Sequence, residues 1–184
     1  MKKIRYFAIT AIGILLLFLS FKIDPYAYIL FKDAQVLPLS IILGLLSNFG
    51  IVIIVLYLLP LFIFYKENRE KSKQGIIKPL LISLAMSVML SLLLKSIFLR
   101  ERPHEAFQDF GVITNSFPSM HAWVAFASLP ILARNLRNAH YFTIYAVLVA
   151  FSRVYFGYHY MSDVVFGIFA GYFTGMFSAR FSKK

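Results

Sequence analysis

The sequence contains no cysteine and few charged side chains. Without cysteine, the 184-residue chain forms no disulfide framework and no thiolate metal site. Only 15% of the residues are charged and 60% are hydrophobic, whereas an average soluble domain is about 25% charged. So much apolar side chain does not fit inside the core of so small a soluble domain, and unfolded chains are poor in apolar residues. The sequence therefore predicts a membrane protein.

Acidic residues are also scarce, with 8 Asp and Glu against 19 Lys and Arg, which gives a formal net charge of +11. Such a basic balance can indicate a nucleic-acid partner. Here, however, the basic residues lie between long apolar runs, which is the pattern of membrane topology. We therefore predict the phospholipid bilayer, and no nucleic acid, as the partner.

The apolar runs predict six transmembrane helices, because a helical span needs about 20 mostly apolar residues. We expect an all-α, polytopic membrane protein that forms a single domain over residues 1–184. The first helix follows a short basic stretch, as in a signal peptide, but no clear cleavage site comes after it. We therefore expect it to stay uncleaved. The predicted spans cover residues 4–21, 39–65, 76–99, 118–132, 141–156 and 161–178.

Two segments permit more than one interpretation. Asp24 and Pro25 are good residues for a helix start, which predicts a short interfacial helix or an ordered loop up to about residue 35. The run 36–65 is long for one span and short for two, with a possible bend or break at 47–50. The alternatives are one tilted span, which we favour, and an interfacial segment followed by a span.

The basic residues separate onto one side of the six predicted spans. That side has thirteen Lys and Arg against only Glu67 and Glu70, whereas the other side has six basic and six acidic residues. Lys and Arg are enriched in cytoplasmic loops, so both termini are predicted to be cytoplasmic in a bacterial inner (plasma) membrane. The thirteen are Lys2, Lys3, Arg5, Lys66, Arg69, Lys71, Lys73, Lys78, Arg134, Arg137, Arg180, Lys183 and Lys184.

A polar constellation gathers at the opposite, extracytoplasmic membrane face. Ionisable groups beside membrane spans are costly, so they mark candidate functional sites. Lys95 and Arg102 are seven residues apart and lie on one helical face if the helix extends that far, although Pro103 indicates its end. Ser119 stands where a helix begins, and free N–H groups there bind anions. The remaining members are His121, Arg153, His159 and Asp163.

These groups suit phosphoryl transfer. His159 and Asp163 touch if both are helical, and Asp163 then holds the imidazole in one tautomer. His159 would attack phosphorus to form a phosphohistidine, while His121 protonates the leaving oxygen and later activates water. The cations stabilise the charge on the phosphoryl oxygens, so no metal or other cofactor is required.

Three ordered motifs in the chain resemble those of the type 2 phosphatidic acid phosphatase (PAP2) family. They read Lys-x6-Arg-Pro from Lys95, Pro-Ser-x-His from Pro118 and Ser-Arg-x5-His-x3-Asp from Ser152. The resemblance implies a six-helix, metal-independent membrane lipid phosphatase. It also implies that Lys95, Arg102, Ser119 and Arg153 bind phosphate, that His121 is the acid, that His159 is the nucleophile and that Asp163 orients His159.

One position departs from the family pattern, because Met120 replaces the usual glycine of the second motif. Its backbone N–H is still available for phosphate, and its bulk narrows the site or contacts lipid. The predicted partner is a membrane lipid phosphate. Its candidates are undecaprenyl diphosphate, lipid A 1-phosphate, phosphatidylglycerophosphate and phosphatidate, and the sequence does not select among them or fix the oligomeric state.

Other classes remain open at this point. A non-enzymatic lipid-phosphate binding or transport protein would use the same cations, but it has no need of two histidines and an aspartate. A phosphoryl transferase would pass the group to an acceptor other than water. A metal-dependent hydrolase would lose activity with a chelator, but residues His104, Glu105 and Asp109 lack a second histidine at ligand spacing, and the loop 100–109 is expected to be solvated.

Overall fold

The computed structural model describes residues 2–67, 75–103 and 115–181, and every regular element in these ranges is a helix. The α-helices are α1 (Lys2–Asp33), α2 (Leu37–Leu46), α3 (Phe49–Ile53), α4 (Leu59–Glu67), α5 (Ile77–Phe98), α6 (Met120–Asn135), α7 (Ala139–Tyr155) and α8 (Met161–Ser178). A π-helical turn (Ile54–Leu58) joins α3 to α4, and a 3₁₀ turn (Ala179–Phe181) follows α8. The all-α prediction is confirmed.

Four helical stretches in the described ranges are long and apolar enough to cross a membrane. They are Thr10–Asp33, Phe49–Lys66, Ile77–Phe98 and Met161–Phe181. The predicted fourth and fifth spans correspond to α6 and α7, which have 16 and 17 residues. At 1.5 Å per residue these two rise about 24–26 Å, less than the roughly 30 Å of a bilayer core. The membrane architecture is confirmed, and the count of six spans stays a prediction.

The first helix is longer than predicted, because α1 runs through Pro25 without interruption. Asp24 therefore does not begin a separate interfacial helix, and that prediction is wrong. The physical reason lies in its carboxylate, which accepts hydrogen bonds from the backbone N–H and hydroxyl of Ser162 rather than capping its own helix. The side chain of Asp24 is buried by this contact with the start of α8.

The second apolar run is broken, so the prediction of one tilted span over 39–65 is also wrong. Helix α2 ends before Ser47, and Asn48 begins the next helix by accepting a hydrogen bond from the Gly50 N–H at 3.0 Å. The ten residues of α2 rise only about 15 Å, so α2 alone does not add a crossing. Ser47 is buried at this break and faces α7 through Arg153.

Helices α6 and α8 pack closely along a row of glycines. A β-carbon at Gly167 would lie 2.8 Å from the Ser119 carbonyl oxygen, and β-carbons at Gly171 and Gly175 would collide with the carbonyls of Trp123 and Ala127. The small-residue stripe in α8 therefore serves packing within one chain, which brings the start of α6 against the start of α8.

We expect Gly171→Ala to lower the stability of the folded protein by about 2 kcal/mol, because the new methyl group meets backbone that cannot move aside. The measurement is the unfolding midpoint in detergent. Gly44→Ala is the matched control, since its β-carbon would lie 3.8 Å from the Phe156 ring, an ordinary contact. A midpoint for Gly171→Ala equal to that of Gly44→Ala would contradict the prediction.

The helix order brings five chain segments to one end of the bundle: the 47–48 break, the ends of α5 and α7, and the starts of α6 and α8. At the other end, Arg134 donates to the Ala179 carbonyl at 3.0 Å, and Lys78 lies over the Phe181 ring. The basic residues at that other end whose side chains are described are Lys66, Lys78, Arg134, Arg137 and Arg180. The side chains of residues 2, 3 and 5 are not described, and residues 69, 71, 73, 183 and 184 lie outside the described ranges.

Candidate active site

The start of α6 has hydrogen-bond donors directly before His121, a residue of the candidate site. Ser119 is the N-cap residue and is fully buried, and its Oγ has no hydrogen-bond partner among the described residues. The first N–H groups of a helix lack intrahelical partners, so Met120 offers its backbone N–H here. The Met120 side chain packs against the main hydrophobic core and does not line the pocket described below.

His159 lies in the connection between α7 and α8, and its Nδ1 is 2.7 Å from the carbonyl oxygen of Ser116. A carbonyl oxygen only accepts, so Nδ1 carries the proton and Nε2 keeps its lone pair. Burial and the charges of Lys95 and Arg102 lower the pKa of His159, Asp163 opposes them, and the resulting pKa is about 4. The imidazole is therefore neutral at pH 7 and can act as a nucleophile.

The relation of His159 to Asp163 differs from the one predicted. His159 precedes α8, which begins at Met161, so the two residues do not share a helix. Their closest atoms, Nδ1 and Oδ2, are 3.7 Å apart, which is too long for a hydrogen bond. Asp163 Oδ2 instead accepts from the Ser116 hydroxyl and from the Tyr160 N–H. Asp163 therefore reaches His159 through Ser116, whose carbonyl is the direct partner of the imidazole.

Two of the three predicted cations lie in the last turns of helices. Lys95 lies in the last turn of α5, is buried, and donates from Nζ to the carbonyls of Asn115 and Ser116. Arg153 ends α7 and donates to the hydroxyls of Ser152, at 3.1 Å, and Ser47. The Ser152 hydroxyl itself donates to the Val149 carbonyl in the same helix, so it bonds to α7 while it accepts from Arg153.

Arg102 lies beyond the end of α5, so the prediction that it shares a helical face with Lys95 is wrong. The helix ends at Phe98, and Leu99 adopts a left-handed conformation with φ 46°. The chain then runs outside the helix through 100–103 and brings Arg102 to the pocket. Burial lowers the pKa of the Arg102 guanidinium, but a guanidinium remains charged at physiological pH.

A pocket of about 360 Å³ opens between these groups. Of the eight predicted site residues, Arg102, His121, Arg153 and His159 line it. The other four, Lys95, Ser119, Met120 and Asp163, lie outside the lining. The pocket wall is completed by Gly44, Ser47, Asn48, Phe49, Phe156 and Tyr158. The His121 and Phe49 rings pack nearly perpendicular to each other, with their centroids 5.1 Å apart.

Several residues around the site were missed by the sequence analysis. The sequence predicts a solvated loop at Arg100, and this prediction is wrong, because Arg100 forms ion pairs with Asp24 at 2.8 Å and with Asp163 at 2.6 Å. Ser116 carried no motif signal. Asp24 had one available signal, an acidic residue within an apolar stretch. Glu101 is exposed as expected, and His104, Glu105 and Asp109 lie outside the described residues.

Comparison with known proteins places the chain in a family. A model of the PAP2 superfamily matches residues 77–184, more than half of the chain. Undecaprenyl-diphosphatase BcrC of Bacillus subtilis (strain 168) is 27% identical over 149 residues, covering 78% of this chain and 75% of that protein.

Two solved structures share the fold. The crystal structure of Aquifex aeolicus LpxE superposes with a TM-score of 0.67 and 24% identity, covering 86% of this chain and 96% of that one. The first transmembrane PAP2 type phosphatidylglycerolphosphate phosphatase from Bacillus subtilis gives a TM-score of 0.69 and 21% identity, covering 94% of each chain. By sequence and by fold, the chain is a membrane phosphatase that belongs to the PAP2 superfamily.

Proposed function

We propose that the chain hydrolyses the phosphate or diphosphate of a membrane lipid through a phosphohistidine on His159. The observation that carries this proposal is the hydrogen bond from Nδ1 to the Ser116 carbonyl, which leaves the Nε2 lone pair for chemistry. The same pocket is lined by a second histidine, His121, and by the guanidinium groups of Arg102 and Arg153. A nucleophile, an acid and cations therefore surround one cavity.

The reaction takes two steps. In the first, Nε2 of His159 forms a bond to phosphorus while the bond to the leaving oxygen breaks, and His121 gives that oxygen its proton. In the second, His121 takes a proton from water as the water oxygen attacks phosphorus. The phosphorus–nitrogen bond then breaks, inorganic phosphate leaves and both imidazoles return to their starting protonation states.

The remaining groups bind the phosphoryl oxygens. Arg102 and Arg153 lie at the cavity wall and stabilise the charge that spreads over these oxygens in the transition state. Behind them, Lys95 adds a buried positive charge, and Ser119 with the Met120 N–H offers donors at the start of α6. Asp163 is a positioning residue in this scheme, because it acts on His159 through Ser116.

The proposed topology has six spans, both termini in the cytoplasm of a bacterium and the site at the extracytoplasmic face of the inner membrane. The charge asymmetry of the sequence supports it, because the basic residues predicted to be cytoplasmic whose side chains the structure describes lie at the end of the bundle opposite the site. A reporter fused after Lys184 is expected to be active only in the cytoplasm. An extracytoplasmic signal would overturn both the span count and the sidedness.

The substrate class follows from the position of the site at the helix ends, where a lipid can present its phosphate while its tail stays in the bilayer. BcrC, the relative named above, is an undecaprenyl-diphosphatase, which supports an isoprenoid diphosphate as the first candidate. Lipid A 1-phosphate, phosphatidylglycerophosphate and phosphatidate complete the set to be tested.

The experiment that tests the proposal is phosphate release by purified protein in detergent, with a chelator present and these four lipids as substrates. We expect release from at least one of them, and none by a His159→Ala variant that folds. Full loss of activity with chelator, restored by a divalent ion, would favour a metal-dependent hydrolase. Phosphate found on an added alcohol instead of water would favour a transferase.

We expect the acid limb of the kcat/KM profile to lie near pH 4. His159 attacks only when neutral, and its pKa is lowered to about 4 by burial, Lys95 and Arg102, against the opposing effect of Asp163. Protonation of His159 should thus reduce activity only below about pH 5. The unfolded state binds more protons than the folded state between this pKa and the ordinary 6.5, so stability falls as pH falls through that window.

The pH profile is measured in detergent with a soluble phosphate monoester whose own ionisation is corrected for. A limb centred near 6.5, the ordinary pKa of histidine, would contradict the neutral, buried nucleophile.

A further inference from the structure

An ionic network of two buried carboxylates and the partly exposed Arg100 joins α1 to the start of α8. The guanidinium of Arg100 donates from Nη1 to Asp163 Oδ1 at 2.6 Å and to the Ser162 hydroxyl at 2.7 Å. Its Nη2 donates to Asp24 Oδ2 at 2.8 Å. Asp24 also accepts from the Ser162 N–H and hydroxyl, at 2.9 and 2.6 Å. The guanidinium lies over the Tyr160 ring, 4.0 Å from its centroid.

This network contacts the nucleophile by two routes that meet at Ser116. The Ser116 hydroxyl donates to Asp163, whose other oxygen is held by Arg100. The Ser116 N–H donates to the Arg100 carbonyl at 2.6 Å. Ser116 in turn accepts the Nδ1 proton of His159. Arg100 therefore fixes both the side chain and the backbone of the residue that orients the imidazole.

The network requires an arginine for electrostatic and geometric reasons. Asp24 is 4% exposed and Asp163 is 0% exposed. Two carboxylates that are buried so close together need a cation between them. Only a planar guanidinium offers several donors in a fixed fork, whereas a lysine ammonium is a point charge. Arg100 does not line the pocket, so its role does not include contact with the substrate phosphate.

We propose that Arg100 and Asp24 are positioning residues of the catalytic centre, which fix Asp163 and Ser116 so that Nε2 of His159 is aligned with phosphorus. The proposal rests on the proposed function, in which His159 is the nucleophile. It adds to the catalytic centre a residue outside the part of the chain that matches the family model, because Asp24 belongs to α1 and that match begins at residue 77.

The test uses three variants of the full chain, Arg100→Lys, Arg100→Gln and Asp24→Asn. A misplaced catalytic group costs about 100-fold in rate, so we expect Arg100→Gln to lower kcat by about that factor. Arg100→Lys keeps the positive charge but loses the planar set of several donors. Asp24→Asn leaves the hydrogen bond between the Arg100 guanidinium and Asp163 in place. Both should lower kcat less, by about tenfold. The KM and the inhibition constant of orthovanadate should change less than about twofold, because the phosphate-binding groups remain.

A double variant tests whether the two residues act as one unit. In the Arg100→Gln background, Asp24→Asn should lower kcat by less than about twofold further, because the guanidinium it holds is already gone. Without Arg100, the carboxylates of Asp24 and Asp163 lose the cation between them. The double variant removes the negative charge of Asp24, so it can still be measured if Arg100→Gln folds poorly. Additive losses would overturn the coupling that we propose.

Arg134→Gln is the matched control, since Arg134 also donates from a guanidinium to another helix, the Ala179 carbonyl, at the opposite end of the bundle. We expect its unfolding midpoint to fall while kcat stays unchanged. Retention of wild-type kcat by folded Arg100→Gln would overturn the inference, as would a loss confined to KM or to stability. The proposed function fails separately, through an inactive wild type or an active His159→Ala.

Discussion

Replacing His159 by asparagine should reduce phosphate release by at least about 10⁴-fold, the scale of loss when a nucleophile is removed from a preformed site. Asparagine is the sharpest substitution here, because its side-chain N–H can occupy the place of Nδ1 and keep the hydrogen bond to the Ser116 carbonyl. The variant thus removes Nε2 and little else. The same protein, treated with ³²P-labelled substrate and quenched in base, should carry no label, whereas the wild type should carry acid-labile label.

The control for this prediction is the same substitution at His140, which lies in the first turn of α7 at the end of the bundle far from the pocket. His140→Asn should release phosphate at the wild-type rate. Binding of orthovanadate by His159→Asn should persist, because Lys95, Arg102 and Arg153 are unchanged. If folded His159→Asn kept more than about a tenth of wild-type activity, water and not His159 would be the attacking group.

The sequence was informative about the site because its residues stand at helix ends. Lys95, Ser119 and Arg153 border apolar runs, and alternating helix directions bring those borders to one end of the bundle. Hydrophobic length therefore places them correctly even when the exact contacts are unknown. Of the eight predicted residues, four line the pocket. Lys95, Ser119 and Asp163 are buried outside its lining, and Met120 packs against the main hydrophobic core.

The contacts themselves could not be predicted in the same way. The i, i+4 spacing of His159 and Asp163 favours a helical pair, but Asp163 accepts the Tyr160 N–H and so marks the start of α8 after His159. Pro103 predicts an end of α5 that is too late in the sequence. The helix ends at Phe98, because Leu99 adopts a left-handed conformation that is more typical of glycine. Local propensity gave no sign of either outcome.

Asp24 and Ser47 show the same limit at longer range. Asp24 followed by Pro25 is typical of a helix start, yet its carboxylate bonds to Ser162, 138 residues away. Ser47 ends an apolar helix and meets Arg153, 106 residues away. In each case a buried polar group takes the partner that tertiary packing supplies, because an unpaired one is costly in an apolar interior. A polar residue inside an apolar run is therefore a sign of a contact, and its partner is visible only in the fold.

Replacing His121 by glutamine should separate the two steps of the reaction. On a lipid phosphate, the alkoxide must be protonated to leave, so we expect phosphate release to fall by about 10²–10³-fold without a burst. On p-nitrophenyl phosphate, nitrophenolate leaves without a proton, so the first step should stay fast. The second step still needs His121 to activate water. Nitrophenol should therefore appear as a burst of one equivalent per active site, followed by slow turnover.

The burst is the decisive part of this prediction, because no loss of binding or of folding produces one. Its amplitude counts sites that carry phosphohistidine, so it should vanish in the His121→Gln/His159→Asn double variant. The His140→Gln control should show neither a burst nor a loss of steady-state rate. Equal losses on both substrates, with no burst, would assign His121 to phosphate binding instead. The position of His121, which lines the same pocket as His159 and packs nearly perpendicular to the Phe49 ring, favours the acid–base role, since a ring fixed by packing can face both the leaving oxygen and the incoming water in turn.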